Sequence, residues 1–212
     1  MSLAREDSVT CPACGAPGRM TLHSSVNVTL DPSLKERLLA GALSVFSCAS
    51  CGKKARLVHP LLYQDMERGL LVELSPLGTN GSGLVAGLVG GAERSGPRTR
   101  LVRDGNALIE KVRIDDAKLD DRVIEVLKLL LAVVHAQYLE YPWYFERAEG
   151  DSLLFTILTP QGPMASRRPR DEYDKLEADL SRRGILAEEL PPFSEVGKKL
   201  AGTWMAKPEA TP

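Results

Sequence analysis

The four cysteines of this chain fall into two matched pairs. Cys11-Pro12-Ala13-Cys14-Gly15 forms the first and Cys48-Ala49-Ser50-Cys51-Gly52 the second. A two-residue gap in a tight turn lets both sulfurs aim at one point, and the glycine that follows can take the positive φ such a turn needs. Two pairs of this kind can surround one metal ion as a tetrahedral sulfur site. Zinc bound by Cys11, Cys14, Cys48 and Cys51 is the leading reading. Iron of the rubredoxin kind uses similar loops, but rubredoxins pack aromatic residues around the metal, and here only Phe46 lies between the two pairs. A disulfide or redox pair and a set of buried free thiols are the remaining alternatives. Four thiolates fill a tetrahedral ion and leave no position for water or substrate, so the metal is expected to be structural. Lys53, Lys54 and Arg56 are close enough in sequence to offset the surplus negative charge.

Other residues with chemical potential carry weaker signals. His23 and His59 each follow a cysteine pair, as neighbours of the metal ligands or alternative ligands. His135 on a long apolar helix reads as a packed core or interface residue. Asp115-Asp116 and Asp120-Asp121 read as helix caps and solvated surface rather than a cation site. Tyr63 and Asp65 read as a hydrogen-bonded turn. Gly81-Ser82-Gly83 with Gly87 has the look of a phosphate loop, but the helix that should follow is broken by glycines, so a connector is expected. Arg94, Arg98, Arg100 and Arg103 form one basic group and Arg167, Arg168 and Arg170 another. No serine or cysteine nucleophile with a matched base is evident from spacing.

The elements that position the cysteines follow from periodicity and turn chemistry. A strand pair is expected over 19–30, leaving the first cysteine turn. Asp31-Pro32 should cap a short helix over 33–40. Strands over 43–46 and 55–59 should run into and out of the second turn, an arrangement that zinc ribbons use. Residues 60–65 read as a turn, 69–74 and 99–103 as strands, 75–97 as a glycine-rich loop or linker, and 106–115 as a helix. The strongest helix is expected over 119–139, with its all-apolar stretch 129–134 buried centrally. A hairpin over 143–158 with its tip at 149–151 should follow, then helices over 170–183 and 193–205 and a disordered tail over 207–212. The fold class is α+β: a zinc-ribbon-like antiparallel β unit with an inserted short helix, packed on a long buried helix, plus a C-terminal hairpin and helices. The expected domains are 8–140 and 141–206.

Several of these stretches resemble the bacterial CpXC domain family. They are Val9-Thr10-Cys11-Pro12-Ala13-Cys14-Gly15, Val26-Asn27-Val28, Asp31-Pro32-Ser33-Leu34-Lys35, Phe46-Ser47-Cys48 and Cys51-Gly52-Lys53-Lys54. Leu61-Leu62-Tyr63-Gln64-Asp65, Leu108-Ile109-Glu110-Lys111 and Leu119-Asp120-Asp121-Arg122-Val123-Ile124-Glu125 extend the likeness, which covers residues 8–140. The resemblance implies a bacterial metal-binding domain but no reaction, because the family's function is undetermined. Ala49 departs from the proline of the family name, which leaves metal binding untouched. Gln64 stands where a histidine is more usual, which weakens acid–base work by the tyrosine–aspartate pair.

Composition bounds the function. The 212 residues carry 27 basic and 28 acidic side chains, for a net charge of −1, so nothing in the balance pulls the chain towards nucleic acid or membrane. Residues 1–10 are polar, with no apolar signal segment, and no run of 18 or more apolar residues exists to span a bilayer. A cytoplasmic chain is expected, where paired cysteines favour metal over disulfide. The first functional expectation is a zinc protein acting as an interaction or assembly module, with a protein partner or a second copy of itself. A nucleic-acid-binding zinc ribbon is the less favoured second reading. An enzyme with a pocket between ribbon and helical part is the third.

Overall fold

The computed structural model describes residues 2–76 and 96–207. Among these it is a mixed α+β structure with five α-helices and three sheets. The chain divides into two compact units, Met1–Ile109 and Glu110–Pro212.

The first unit is built on a five-stranded sheet of order β1-β2-β5-β6-β7. β1 (Leu3–Thr10) and β2 (Pro17–Asn27) form an antiparallel hairpin around the first cysteine pair. α1 (Pro32–Leu39) follows, with Pro32 in its first turn and Leu34 and Leu38 buried. β3 (Val45–Ser47) and β4 (Lys54–Arg56) make a separate two-stranded sheet around the second pair. β5 (Leu61–Asp65) and β6 (Leu70–Leu74) are central, and β7 (Arg98–Val102) runs parallel to β6.

Residues 61–65, expected to be a turn, are therefore a strand, with Tyr63 fully buried. A strand covered on both faces loses the polar/apolar alternation by which strands are recognised. The N-terminal strand β1 also goes beyond the expectation. It is mostly exposed and polar, and is held by its ladder to β2 rather than by an apolar face. The phosphate-loop resemblance at 81–87, Arg94 and most of the 75–97 loop lie outside the described residues, as do 208–212 of the tail.

α2 (Gly105–Asp116) opens in the first unit and ends in the second. The second unit then contains α3 (Asp121–Val134) and a meander of β8 (Trp143–Glu149), β9 (Ser152–Thr159) and β10 (Gly162–Pro169). α4 (Arg170–Arg182) and α5 (Lys198–Ala206) complete it. Its core gathers Val123, Ile124, Phe145, Phe155, Leu180 and Trp204, with the two phenylalanine rings edge to face at 5.8 Å. The expected hairpin is present, with Gly150 at positive φ in its tip.

The long helix needs two corrections. It ends at Val134 rather than residue 139, because His135 leaves helical geometry and a short 3-10 turn, Ala136–Tyr138, takes over. Its apolar second half is also buried only in part. Leu131 and Ala132 are buried along with Val123 to Leu127, whereas Val133 is 57% and Val134 75% exposed.

Asp120 caps this helix by accepting from the Arg122 amide at 2.8 Å, as expected for that acidic pair. Asp121 departs from the solvated expectation: it is buried against Lys111 at 3.1 Å. Lys111, on α2, also reaches Glu125 at 3.0 Å and the Val196 carbonyl at 2.9 Å. Lys128 holds both oxygens of Glu110 at 2.9 Å and Glu125 at 3.0 Å, and Glu110 accepts the Phe145 amide at 2.6 Å. A buried ionic network thus ties α2, α3 and β8 together. Burial pushes the Glu110 carboxyl above its ordinary value, against the pull of Lys128. At Glu125, burial acts in the same direction but is outweighed by Lys111 and Lys128, which hold the carboxyl below it.

Candidate metal centre

The two cysteine turns are built alike. In the first, the Gly15 amide donates to the Cys11 carbonyl at 2.9 Å, and the Cys11 amide to the Ala16 carbonyl at 2.9 Å. In the second, the Gly52 amide donates to the Cys48 carbonyl at 2.9 Å, and the Cys48 amide to the Lys53 carbonyl at 3.0 Å. Gly15 and Gly52 sit at φ +72° and +70°, the left-handed region where glycine pays no Cβ penalty. Each turn closes an antiparallel hairpin, β1–β2 or β3–β4.

The turns bring all four sulfurs within 4.8 Å of one another. Cys11 Sγ lies 3.8 Å from Cys51 Sγ, and Cys14 Sγ lies 3.6 Å from Cys48 Sγ. All four thiols are free, and these separations far exceed a disulfide bond of about 2.05 Å. A tetrahedral ion with metal–sulfur bonds of about 2.3 Å has sulfur–sulfur edges of about 3.8 Å. The donor set and spacing therefore fit a four-coordinate thiophilic ion.

Electrostatics separates the four thiols. Backbone amides of Cys51 and Ser50 point at the Cys48 sulfur and lower its thiol to about 6. The Ala13 amide does the same for Cys11, whose thiol is also lowered. The Ala16 amide pulls the Cys14 thiol down, but the three surrounding sulfurs together push it up to about 12. Without a cation, then, the cluster cannot carry four thiolates at neutral pH. A divalent ion held there would supply the missing charge.

Cys11 and Cys48 are buried with Phe46 in a small core, onto which Val9, Ala16, Met20 and Leu57 pack; Cys14 and Cys51 are exposed. Gly18 completes this core by being small. A Cβ there would lie 2.6 Å from Phe46 Cε2 and 2.7 Å from Phe46 Cζ. Gly18→Ala is expected to cost about 1–3 kcal/mol through overpacking. A thermal melt several degrees lower, partly restored by adding Phe46→Leu, is the expected result.

The other candidates fall elsewhere. Neither His23 nor His59 belongs to the sulfur cluster. His23 is buried, and desolvation, with help from Arg37 and His59, holds its ring below the ordinary histidine value. His59 contacts Ser44 Oγ at 2.9 Å through Nε2 and the Pro60 carbonyl at 3.0 Å through Nδ1. His135 is the half-buried cap of α3. The Tyr63 hydroxyl donates to Asp65 at 3.4 Å, and Asp65 also faces Lys35 at 3.4 Å.

The described arginines of both groups are engaged. Arg167 pairs with Glu149 at 2.5 Å, Arg168 with Glu172 at 2.5 Å and Arg170 with Asp174 at 3.1 Å. Arg100 donates to the Thr99 carbonyl and Arg103 to the Ser75 carbonyl. Little in the sequence marks the ionic network around Lys111 or the Ser44–His59 contact. The only trace of the first is charge on the otherwise apolar faces of α2 and α3. The second pairs residues fifteen apart that only the β3–β4 hairpin brings together.

No curated protein and no solved structure matches the chain. A family model described as CpXC protein matches residues 9–128, more than half of the chain and both cysteine turns. The chain therefore belongs to the CpXC family.

Proposed function

We propose that this is a cytoplasmic zinc protein whose ion, held by Cys11, Cys14, Cys48 and Cys51, is structural, and that it works as an interaction or assembly module. The observation that carries this reading is the packing of four free sulfurs from two distant turns within 4.8 Å. Zinc is preferred to iron because Phe46 is the one aromatic residue in the small core around Cys11 and Cys48. The zinc ribbon is the nearest description of the two hairpins that meet at the sulfurs.

Self-association is the favoured mode of assembly. The outer half of α3 exposes Leu130, Val133 and Val134 side by side, an apolar surface of the kind that a partner covers. The nucleic-acid reading is weaker, because Arg167, Arg168 and Arg170 are already paired with carboxylates. Among the described residues no helix is long and apolar enough to cross a membrane.

Elemental analysis of the purified chain should return one zinc per chain, and sedimentation should show a species larger than the monomer. Iron in place of zinc, or a metal-free folded chain, would overturn the metal assignment. A strict monomer from which no partner is recovered would overturn the assembly role.

A further inference from the structure

The hairpin that carries Cys48 and Cys51 at its closed end carries a second constellation at its open end. Ser44 immediately precedes β3, and His59 lies three residues beyond β4. The Leu57 amide donates to the Ser44 carbonyl at 2.9 Å, which extends the ladder and sets the two segments side by side. Ser44 Oγ and His59 Nε2 are then 2.9 Å apart.

The direction of that hydrogen bond follows from the other side of the ring. His59 Nδ1 lies 3.0 Å from the Pro60 carbonyl, which can only accept. Nδ1 therefore carries the proton, and in the neutral ring Nε2 is left as an acceptor for the Ser44 hydroxyl. A hydroxyl donating to an imidazole whose far nitrogen is held by an acceptor is the arrangement that activates a serine nucleophile.

Both residues open onto a cavity of about 40 Å³ walled by Leu38, Leu43, Leu61, Leu108 and Ile109. About 10–15 Å³ holds one water, so the cavity has room for about three heavy atoms, the size of an acetyl group. Arg56 also lines the cavity. It is anchored through Nη2 to the Gly41 carbonyl at 3.1 Å and through Nη1 to Asn106 Oδ1 at 3.2 Å. A Cβ on Gly41 would lie 1.9 Å from Arg56 Nη2, so glycine there is what admits the guanidinium.

We propose that Ser44 and His59 form a nucleophile–base pair that hydrolyses esters of short acyl groups, acetyl above all, in the apolar cavity beside them. Ser44 Oγ attacks the acyl carbon and its proton passes to His59 Nε2. The developing charge on the acyl oxygen faces Arg56. The carbon–oxygen bond to the alcohol breaks, and His59 returns the proton to the departing alcohol. Water, deprotonated by His59, then attacks the acyl-serine and releases the acid, restoring the serine. This activity goes beyond the structural metal and assembly role.

The test uses the full-length chain with two probes, a fluorophosphonate and p-nitrophenyl acetate, with zinc measured in every sample. Peptide mass spectrometry is expected to place the fluorophosphonate on Ser44. Ser44→Ala and His59→Asn are each expected to lower acetate ester hydrolysis at least about 100-fold, the scale of a lost nucleophile or general base. The p-nitrophenyl octanoate ester, too large for the cavity, should turn over far more slowly than the acetate. Wild-type chain whose Ser44 stays unlabelled overturns the proposal without any variant. So does a folded Ser44→Ala chain that hydrolyses the acetate at the wild-type rate. Zinc-loaded chain with no label on Ser44 sinks this activity and leaves the metal assignment standing; labelled chain that contains no zinc does the reverse.

Discussion

Removal of metal by a strong chelator is expected to unravel the β3–β4 hairpin and the cysteine end of the β1–β2 hairpin while the second unit stays folded. The core at the cysteines is too small to hold them otherwise: Cys11, Cys48 and Phe46 are buried there, with four partly buried neighbours. β3 and β4 share only three register pairs and, among the described residues, join no larger sheet. An isolated two-stranded hairpin is marginal in water. Structural zinc contributes about 10–16 kcal/mol of apparent binding free energy in zinc-finger peptides, as much as the whole stability of a typical domain. Hydrogen exchange is the measurement. Protection should vanish over 8–20 and 44–58, and persist in β5, β6 and the Glu110–Pro212 unit, which has its own core. Identical exchange with and without metal would sink the idea that an ion pins these turns.

Acid should produce the same local melting. Metal binding requires thiolates, so it releases protons and weakens as pH falls. At neutral pH the Cys14 thiol, pushed up to about 12, keeps its proton in the metal-free cluster and must give it up on binding. The Cys48 thiol, lowered to about 6, is already largely ionised there and resists reprotonation until the solution is more acidic. Metal occupancy followed by elemental analysis should therefore drop as pH is lowered into the acid range, and the exchange pattern of chelated protein should appear with it. Cys48→Ser at neutral pH is expected to reproduce that pattern.

What was legible in the sequence is what is encoded locally. Two residues between cysteines and a glycine behind them specify the turn, its positive φ and the direction of both sulfurs, without help from the rest of the chain. The hairpin 143–158 and the helix ended by Gly184 at φ +74° were legible for the same reason. Elements defined by their surroundings were not. β5 is covered on both faces and lost its alternation, so Pro60 and the residues after it looked like a turn. β1 and β10 are largely exposed strands whose pairing, not an apolar face, makes them strands. The apolar run at the end of α3 has the composition of a buried core, yet Val133 and Val134 face outward. Charges inside the second unit were the hardest to foresee. Lys111 finds its carboxylates ten and fourteen residues away, on another helix, and nothing local distinguishes it from a solvated lysine.

Lys111→Met is expected to destabilise the second unit by about 3–5 kcal/mol, the usual cost of leaving a buried charge unpaired. Methionine keeps most of the lysine stem, so the change isolates the ammonium. That group places its three donors on Asp121 at 3.1 Å, Glu125 at 3.0 Å and the Val196 carbonyl at 2.9 Å. Its loss leaves Asp121 and Glu125, both buried, with less positive charge to face. The pH dependence follows in sign. Burial alone would lower the Lys111 ammonium, but Asp121 and Glu125 outweigh it and raise it, so its contribution is present below the unfolded lysine value and is lost as pH rises through the raised one. Glu125 is lowered in the fold, so its contribution is present above the unfolded carboxylate value, about 4.3, and is lost as pH falls through the lower folded value. Urea unfolding of the Lys111→Met chain should thus show its full defect near pH 7 and a shrinking one as pH falls towards about 4 and below, because burial without the ammonium makes the orphaned carboxylates take up protons earlier. Adding Glu125→Gln should recover part of the loss at pH 7, by about 0.5–3 kcal/mol of coupling. A Lys111→Met chain as stable as wild type at pH 7, or a defect unchanged in acid, would mean that the ionic network does not hold this unit together.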